Sequence, residues 1–536
     1  MVRIQHPNSN LNRDETTPKT AEELVQRLMS ETRELARFAR DPRDGEEEAT
    51  FRWFEQALVP KVYSIARIAV ALFLTCAEER VRERTPTWVV RGGRTFQRTK
   101  ARPRTMTTWF GSVRYWRTYM LERGVEQAQG QGFYPLDVVL GLTSDRFSLG
   151  LLSVVVRLAT TLSFATAKST AELFLPDVPA TQVIEKATLG FGRFTNQWFE
   201  HRPAPADDGD VLIILIDGKG APQVTELEMV RRRRPWKNRP RAASPRHRGR
   251  SKRGRYDSKK RRKKGDKSKN AKMATLVVMY TLRMVGTELH GPINPWVYAS
   301  FAPKKHAFAI AWREARKRGF DPDGDDVIQV VTDGDDDLAL YTKLFFPKAI
   351  HTLDVMHVVE KLWEAGGRLF VEGSDELTEW VEGQKDLLYG GRVKEVIKEL
   401  RDRRNALCRS NKNKSRRKRL KEIIDYLVKR VKMMNYAELI DEDLEIGSGA
   451  VEGAVKFILG KRCDQGGMRW IPERAEAVVQ LRCIEVNGDW DRFVEFVHDK
   501  VLLQQRDTVT PVRIQQKDPD SLPDMLEKPG WEEAAA

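Results

Sequence analysis

The chain has 536 residues, 40% of them hydrophobic, which is enough for about two to four domains with buried cores and excludes a mainly disordered protein. Its 93 Lys and Arg residues exceed its 76 Asp and Glu residues, so the net charge is +17. The four widely spaced cysteines include no CxxC pair, which argues against a disulfide framework or a structural zinc site and fits a reducing, cytoplasmic setting.

Residues 1–125 are expected to form helices followed by a hairpin. Thr20 and Glu23 have the spacing of a capping box at the start of an amphipathic helix. The longest apolar run, Val62–Cys76, is too short to cross a bilayer and contains Arg67. We therefore interpret this run as a core helix and expect no membrane segment.

Two further patterns occur between residues 105 and 205. Residues Thr105–Met120 mix aromatic and β-branched side chains around Gly111, which indicates a hairpin whose arginines either contact phosphates or form a solvated basic face. Residues 126–205 read as short helices, and two of them around a "LPDVPA" turn are compatible with a helix-turn-helix DNA-binding domain. Any small helical bundle produces the same pattern.

Residues 206–365 show an alternation of strands and helices. Three strand-like segments are followed by helix, strand, helix, strand and helix, which is the order of an RNase H-like α/β domain. Pro295 places the third strand toward an edge of the sheet. The five predicted strands are Val211–Ile216, Thr275–Arg283, Ile293–Phe301, Val327–Thr332 and Ala349–Asp354.

A basic segment, Arg231–Lys272, interrupts this domain between its first two strands. It contains 22 Lys and Arg residues against Asp257 and Asp266, a net charge of +20, so the rest of the chain is close to neutral. Such a segment is typical of DNA binding through counterion release, with a solvated charge run or a localisation signal as the alternative. The residues expected to contact DNA here are Arg231, Arg232, Arg233, Arg234, Lys259, Lys260, Arg261, Arg262, Lys263 and Lys264.

The C-terminal part continues with a predicted helical insertion at residues 366–445, a last portion of the core at 446–505 and a loose tail at 506–536. Within the insertion, the basic stretch "RSNKNKSRRKR" is expected to join two amphipathic helices and to face DNA. Its candidate contacts are Arg416, Arg417, Lys418 and Arg419.

Three carboxylates are candidates for catalysis. Asp217 follows the first predicted strand and Asp333 the fourth, so both acids are expected at the same edge of the sheet. Glu452 lies near the start of a helix after "GSG" and is expected to reach that edge. Three carboxylates without His or Cys ligands favour two Mg²⁺ or Mn²⁺ ions, which can promote an in-line phosphoryl displacement. An ordinary turn aspartate and a helix-start glutamate are the alternatives.

Several blocks of the sequence resemble a known family. "IDGKGAP", "NAKMATLVVMYTL", "LHGPINPWVYASF", "VTDGDDDL" and "IGSGAVEGAVKFILGKRCDQGGMRW" are similar to the transposases of ISKra-type insertion sequences, DDE enzymes related to the Mutator-like group. The resemblance covers roughly Tyr134–Phe496. It implies bacterial origin and an Asp, Asp, Glu triad that falls on Asp217, Asp333 and Glu452, with Asp335, Asp336 and Asp337 crowding the second acid.

The same resemblance places "DVMH" at the family's Asp-x-x-His motif, so Asp354 and His357 are expected beside the active site. His357 would orient a carboxylate or a phosphate, or else be a core histidine. Lys219 is either a phosphate contact or a solvent-facing turn lysine. In "GMRW", Arg469 is expected on DNA and Trp470 either on an exposed base or in the core.

The expected function is a DNA transposase that cleaves the ends of an insertion sequence and joins them to target DNA. Its partners would be double-stranded DNA, at the terminal inverted repeats and the target, and further copies of the chain in a homodimer or larger oligomer. A bacterial cytoplasmic, nucleoid-associated location follows. The alternatives are an RNase H-like nuclease or resolvase without strand transfer, and a non-catalytic DNA-binding protein derived from a transposase.

Overall fold

The structure is a computed structural model that describes residues 19–41, 50–123, 132–225, 227, 230, 271–464 and 469–507. The fold is mixed α/β. Two compact units divide the chain, one from Met1–Ala187 together with Asp491–Ala536 and the other from Thr188–Trp490. The second unit contains all the candidate catalytic residues.

In the first unit, the predicted capping box begins the first helix, because Thr20 and Glu23 each accept a hydrogen bond from the other's backbone amide. The predicted hairpin is an antiparallel pair that turns just before Gly111, whose φ of +106° favours glycine. The strands are β1 (Trp88–Arg91), β2 (Arg94–Arg98), β3 (Arg102–Thr108), β4 (Gly111–Arg117), β5 (Met120–Glu122) and β6 (Gly132–Phe133). The helices are α1 (Ala21–Arg40), α2 (Phe51–Arg84), α3 (Pro135–Leu140), α4 (Leu149–Thr161), α5 (Phe164–Ala171), the first part of α6 (Thr181–Gly192) and, after the second unit, the last helix, Trp490–Asp507.

The predicted apolar run and the first helix of the predicted helix-turn-helix both lie in the first unit. The apolar run belongs to α2, which by length and composition could cross a membrane, although a single such helix is weak evidence because core helices pass the same test. This helix packs against α1 and β4. Nine residues, 172–180, separate α5 from α6, whereas a helix-turn-helix usually has a turn of about three to four. The helix-turn-helix interpretation stays a prediction.

The second unit is built around a five-stranded sheet with the order β11-β10-β7-β8-β9. Strands β7, β8 and β9 are antiparallel neighbours, while β10 and β11 run parallel to β7. Strand β9 lies at an edge, as Pro295 predicts. The strands are β7 (Val211–Pro222), β8 (Ala271–Val285), β9 (Glu288–Ser300), β10 (Ile328–Thr332) and β11 (Ile350–Leu353).

Helices surround this sheet. The helices expected at residues 366–445 are present, and they pack on one another and on the helix after β11. The helices are α7 (Thr195–His201), α8 (Lys304–Lys317), α9 (Asp336–Phe345), α10 (Val355–Leu369), α11 (Asp375–Tyr389), α12 (Val393–Ala406), α13 (Lys414–Lys429), α14 (Tyr436–Asp441), α15 (Gly449–Ala454), which continues as a π-helical segment (Val455–Asp464), and α16 (Pro472–Val486). We number the final helix, Trp490–Asp507, α17.

Candidate active site at the edge of the central strands

Asp217 and Asp333 follow residues that face each other in the sheet. Thr332, the last residue of β10, pairs in parallel with Ile216 of β7, and each is followed directly by an aspartate. Neighbouring strands lie about 4.8 Å apart, so the two acids follow adjacent, paired positions at the same level of the sheet. The expectation that both acids lie at one edge therefore agrees with the strand register.

One local prediction is wrong, because β7 does not end before Asp217. The strand continues to Pro222, and Gly218, Lys219 and Gly220 pair with β8 instead of forming a turn. The cause is the length of β8, which begins at Ala271 and offers partners to the whole of β7. Asp333 thus lies where β10 ends, while Asp217 lies within the continuing β7. Lys219 is a half-buried strand residue and not a turn lysine.

The surroundings of Asp217 disfavour its negative charge. Burial raises the pKa of Asp217, and the nearby carboxylates of Asp333 and Asp354 raise it further. The Gly218 amide, which donates a hydrogen bond to Asp217 Oδ1 at 2.5 Å, and His357 act in the opposite direction without cancelling the effect. Asp217 is therefore a carboxylate whose charged form would be stabilised by an additional cation.

Asp333 differs from the three acids that follow it. Asp335 caps α9 and lies 2.7 Å from Lys304, which also approaches Asp337 at 3.5 Å. Asp336 pairs with Lys429 and Arg430, each at 2.7 Å. Asp333 accepts a hydrogen bond from the Asp335 amide at 2.9 Å, and no Lys, Arg or His nitrogen of the described residues lies within ion-pair distance of it. These partners favour Asp333 as the acid available to a ligand.

Asp354 and His357 form a charged pair at the end of β11. Asp354 is fully buried and accepts hydrogen bonds from His357 Nδ1 at 2.7 Å, from the Met356 amide at 2.9 Å and from the Ser448 hydroxyl. Burial alone would raise the pKa of Asp354, but these hydrogen bonds outweigh it and hold the pKa below its ordinary value. The bond to Asp354 raises the pKa of His357 to about 9, against the smaller opposing effect of burial. His357 is therefore a cation at neutral pH, near Asp333.

Glu452 lies on α15, which packs against β7 and β8. Ser448, directly before this helix, donates to Asp354 through both its hydroxyl and its amide, and the Val355 amide donates to the Ile446 carbonyl at 2.9 Å. These bonds join the start of α15 to the end of β11. The backbone of Glu452 thus belongs to a helix beside the strand of Asp217, while its side chain lies outside the part of the chain that the structure describes.

Sequence reasoning missed three residues at this edge. Ser448 was assigned no role from the sequence, and its contact with Asp354 spans 94 residues. Tyr426 and Arg430 donate hydrogen bonds to the carbonyls of Asp333 and Gly334. No sequence pattern distinguishes either residue, because both lie at the C-terminal end of an amphipathic helix whose partners are known only after folding.

The predicted DNA contacts fall into different environments. Arg417 and Arg419 have internal partners, since Arg417 donates to the Arg404 and Leu407 carbonyls and Arg419 pairs with Glu364 and Glu422. Arg416 and Lys418 are exposed. The expected connection between two helices holds only for the first part of the stretch, up to Asn413, because α13 already begins at Lys414. Arg231, Arg232, Arg233, Arg234, Lys259, Lys260, Arg261, Arg262, Lys263 and Lys264 lie outside the described residues.

Arg469 and Trp470 also differ in their exposure to solvent. Arg469 is exposed, whereas Trp470 is only 7% exposed. The Trp470 amide donates to the Pro222 carbonyl at 3.2 Å, and its ring lies under the Arg462 guanidinium at 4.6 Å. A role for Trp470 on an exposed base is therefore wrong, and the alternative of a core tryptophan is correct.

The donor set of the site is hard and oxygen-rich. Among the described side chains, which do not include that of Glu452, no group of three His, Cys, Asp or Glu is close enough to hold a metal ion. Asp217 and Asp333 alone supply carboxylates of the kind that Mg²⁺ and Mn²⁺ prefer. The helix that contains the backbone of Glu452 packs against β7.

No model of a protein family matches the chain. No curated protein matches it either.

Proposed function

We propose that this chain is a metal-dependent DNA transposase with an RNase H-like core. The observation that carries the proposal is the pairing of Ile216 with Thr332, because Asp217 and Asp333 directly follow these paired residues of neighbouring parallel strands. The sheet order β11-β10-β7-β8-β9, in which β8 alone runs opposite to the other four strands, supports an RNase H-like arrangement. The sequence resemblance supports the transposase class.

Asp217, Asp333 and Glu452 would hold two Mg²⁺ or Mn²⁺ ions. Bound ions of this kind activate the attacking oxygen and stabilise the leaving oxygen of a phosphoryl displacement. The chain's own residues prepare the site. The mutual repulsion of Asp217, Asp333 and Asp354 favours uptake of cations, and the protonated His357 offers a donor to a non-bridging phosphate oxygen of the bound strand.

The substrate would be double-stranded DNA at the element ends and at the target. The support is electrostatic, because Arg231–Lys272 carries 22 Lys and Arg residues against two Asp residues. Contacts of this type are largely independent of base sequence and weaken with salt. Exposed Arg416, Lys418 and Arg469 extend the basic character to the described part of the chain. A homodimer or larger oligomer, which joins two element ends, and a bacterial cytoplasmic location complete the proposal.

The test combines cleavage and binding assays on the full chain with DNA carrying the element ends. We expect Asp217→Asn, Asp333→Asn and Glu452→Gln each to reduce Mg²⁺-dependent cleavage on the order of 10³-fold, because each removes a metal ligand worth several kcal/mol in the transition state. DNA affinity in a gel-shift titration should change little. The matched control is Asp337→Asn, which alters an exposed acid in the first turn of α9 and should cleave nearly as well as the unmodified chain.

The outcomes separate the alternatives. Cleavage without joining to a supercoiled target would indicate a nuclease or resolvase. Binding without cleavage by the unmodified chain would indicate a non-catalytic DNA-binding protein. Normal cleavage by any of the three substituted proteins would remove that residue from the site.

A further inference from the structure

We propose that the C-terminal end of α13 positions the loop that carries Asp333. Through this loop, Tyr426 and Arg430 control how tightly Asp217 and Asp333 hold their metal ions. This inference rests on the proposed function, and it assigns the helical insertion a role in the chemistry of that site. Tyr426 and Arg430 act through Asp333, so they are positioning residues.

The first support is a pair of hydrogen bonds to the backbone of the loop. The Tyr426 hydroxyl donates to the Asp333 carbonyl at 3.1 Å, and Arg430 Nη2 donates to the Gly334 carbonyl at 2.5 Å. The two donors lie 93 and 96 residues away from their acceptors in the chain. The loop after β10 is thus held by a segment outside the strand and helix that it connects.

The second support is the fixation of Arg430 itself. Its guanidinium lies 4.1 Å from the centre of the Tyr426 ring, and Nη1 donates to the Tyr426 carbonyl at 3.1 Å. Nη2 also lies 2.7 Å from Asp336 Oδ1, an atom that Lys429 approaches at the same distance. Arg430 is buried, so its contacts with Tyr426 and with the loop backbone are shielded from water, whereas Asp336 and Lys429 are exposed. They connect the end of α13 to both ends of the short loop between β10 and α9.

The third support is the close approach at Gly334. This residue has a φ of +78°, and a Cβ atom there would come within 2.5 Å of the Tyr426 hydroxyl oxygen and 2.9 Å of Arg430 Nε. The backbone of the loop therefore lies directly against the two side chains, in a conformation that favours glycine. The carboxylate of Asp333 is left with one described partner, the Asp335 amide.

These contacts have a consequence for ligand binding. A carboxylate on a loop that is already held loses less conformational freedom when it binds a metal ion, so its affinity is higher. Removing the contacts from α13 frees the loop without touching the carboxylate. The metal affinity should then fall, while the surfaces that contact DNA remain unchanged.

The experiment measures binding of Mn²⁺ to the full chain without DNA, by electron paramagnetic resonance of the free ion. Tyr426→Phe keeps the ring and removes one hydrogen bond, so we expect about five-fold weaker Mn²⁺ binding. Arg430→Gln removes bonds from a charged donor, so we expect a loss of about ten-fold or more, and Arg430→Lys should recover part of it. The matched control is Arg419→Gln, which breaks ion pairs of the same helix to Glu364 and Glu422 and should bind Mn²⁺ like the unmodified chain.

Two results would overturn the inference. Unchanged Mn²⁺ affinity in both Tyr426→Phe and Arg430→Gln would show that the loop needs no support from α13. An equal loss in Arg419→Gln would show that any loosening of the helix has the same effect. Failure of the unmodified chain to bind Mn²⁺ at all is a different result, since it removes the metal site of the proposed function and the inference together.

Discussion

Two groups of acidic side chains within the Thr188–Trp490 unit have opposite surroundings. The ion-pair cluster, formed by Arg202, Asp208, Glu314, Arg318 and Asp489, is almost completely buried. Glu314 lies 2.5 Å from Arg202 and 3.1 Å from Arg318, and the other two acids pair with the same arginines at 3.1 and 3.3 Å. Each buried charge there has a partner of opposite sign.

The acidic edge, defined by Asp217, Asp333 and Asp354, has fewer cations. Its one protonated group, His357, bonds to Asp354, and burial together with the neighbouring acids still raises the pKa of Asp217. Paired acids join α7, α8 and the loop after α16, whereas Asp217 and Asp333 have no paired cation among the described residues, and a bound cation would stabilise their charge. This contrast predicts different effects of substitutions on the free energy of unfolding and on the pKa of His357.

The largest effect is expected in the ion-pair cluster. Glu314→Gln leaves the buried Arg202 and Arg318 without their shared carboxylate, so the free energy of unfolding should fall by about 3–5 kcal/mol. Urea denaturation followed by circular dichroism measures this change. A loss below about 1 kcal/mol would mean that the cluster is not a major contributor to stability.

The next effect concerns the pKa of His357. Asp354 raises the pKa of His357 to about 9 in the folded chain, compared with about 6.5 in an unfolded chain. The His357–Asp354 pair therefore stabilises the fold fully below about pH 6.5, and this contribution is lost as the pH rises through about 9. Asp354→Asn should lower the His357 pKa by more than about one unit. NMR titration of the imidazole signals measures it, and His351, whose pKa burial lowers to about 4, is an internal contrast. A His357 pKa that does not respond to Asp354→Asn would contradict the pairing.

A smaller effect of opposite sign is expected at the acidic edge. The raised pKa of Asp217 means that its charge opposes folding at neutral pH, so Asp217→Asn should leave the free energy of unfolding unchanged or raise it by less than about 2 kcal/mol. Thermal unfolding at pH 7 without divalent ions tests this. A clear decrease in the melting temperature would show that the charged form of Asp217 has a stabilising partner in the folded chain.

The smallest effect is expected at an exposed pair. Glu200 lies 2.6 Å from Arg313, and both side chains are about two-fifths exposed. Glu200→Gln should change the free energy of unfolding by less than about 1 kcal/mol, because water screens the pair. This substitution, measured beside Glu314→Gln in the same urea assay, separates the effect of burial from that of charge removal. Equal losses in both would remove burial as the explanation.

Much of the second unit could be predicted from local patterns. Short β-branched runs indicated all five strands of its sheet, because strands buried on both faces need continuous apolar residues. The acids after two of these runs indicated the edge that Asp217 and Asp333 share. In the first unit, the capping box at Thr20 and the hairpin turn before Gly111 were equally local, since their hydrogen bonds and torsion angles depend on residues within a few positions.

Other features depend on segments that meet only in the folded chain. The continuation of β7 beyond Asp217 requires the full length of β8. The burial of Trp470 requires its backbone hydrogen bond with Pro222 and the contact of its ring with Arg462. The internal partners of Arg417 and Arg419 come from α12 and α10. An amphipathic pattern shows which face of a helix is apolar, but it does not show which distant polar group a cation on that helix will meet.

The sequence alone was sufficient for the mixed α/β class, the strand positions and the acids at their ends, because backbone sterics and the alternation of apolar residues act over short distances. The tertiary structure was needed to show that Asp333, and not the acids after it, lacks a paired cation among the described residues, and that Ser448, Tyr426 and Arg430 surround the site. Those contacts join residues more than ninety positions apart. Their formation depends on the packing of the whole unit, which short-range patterns do not encode.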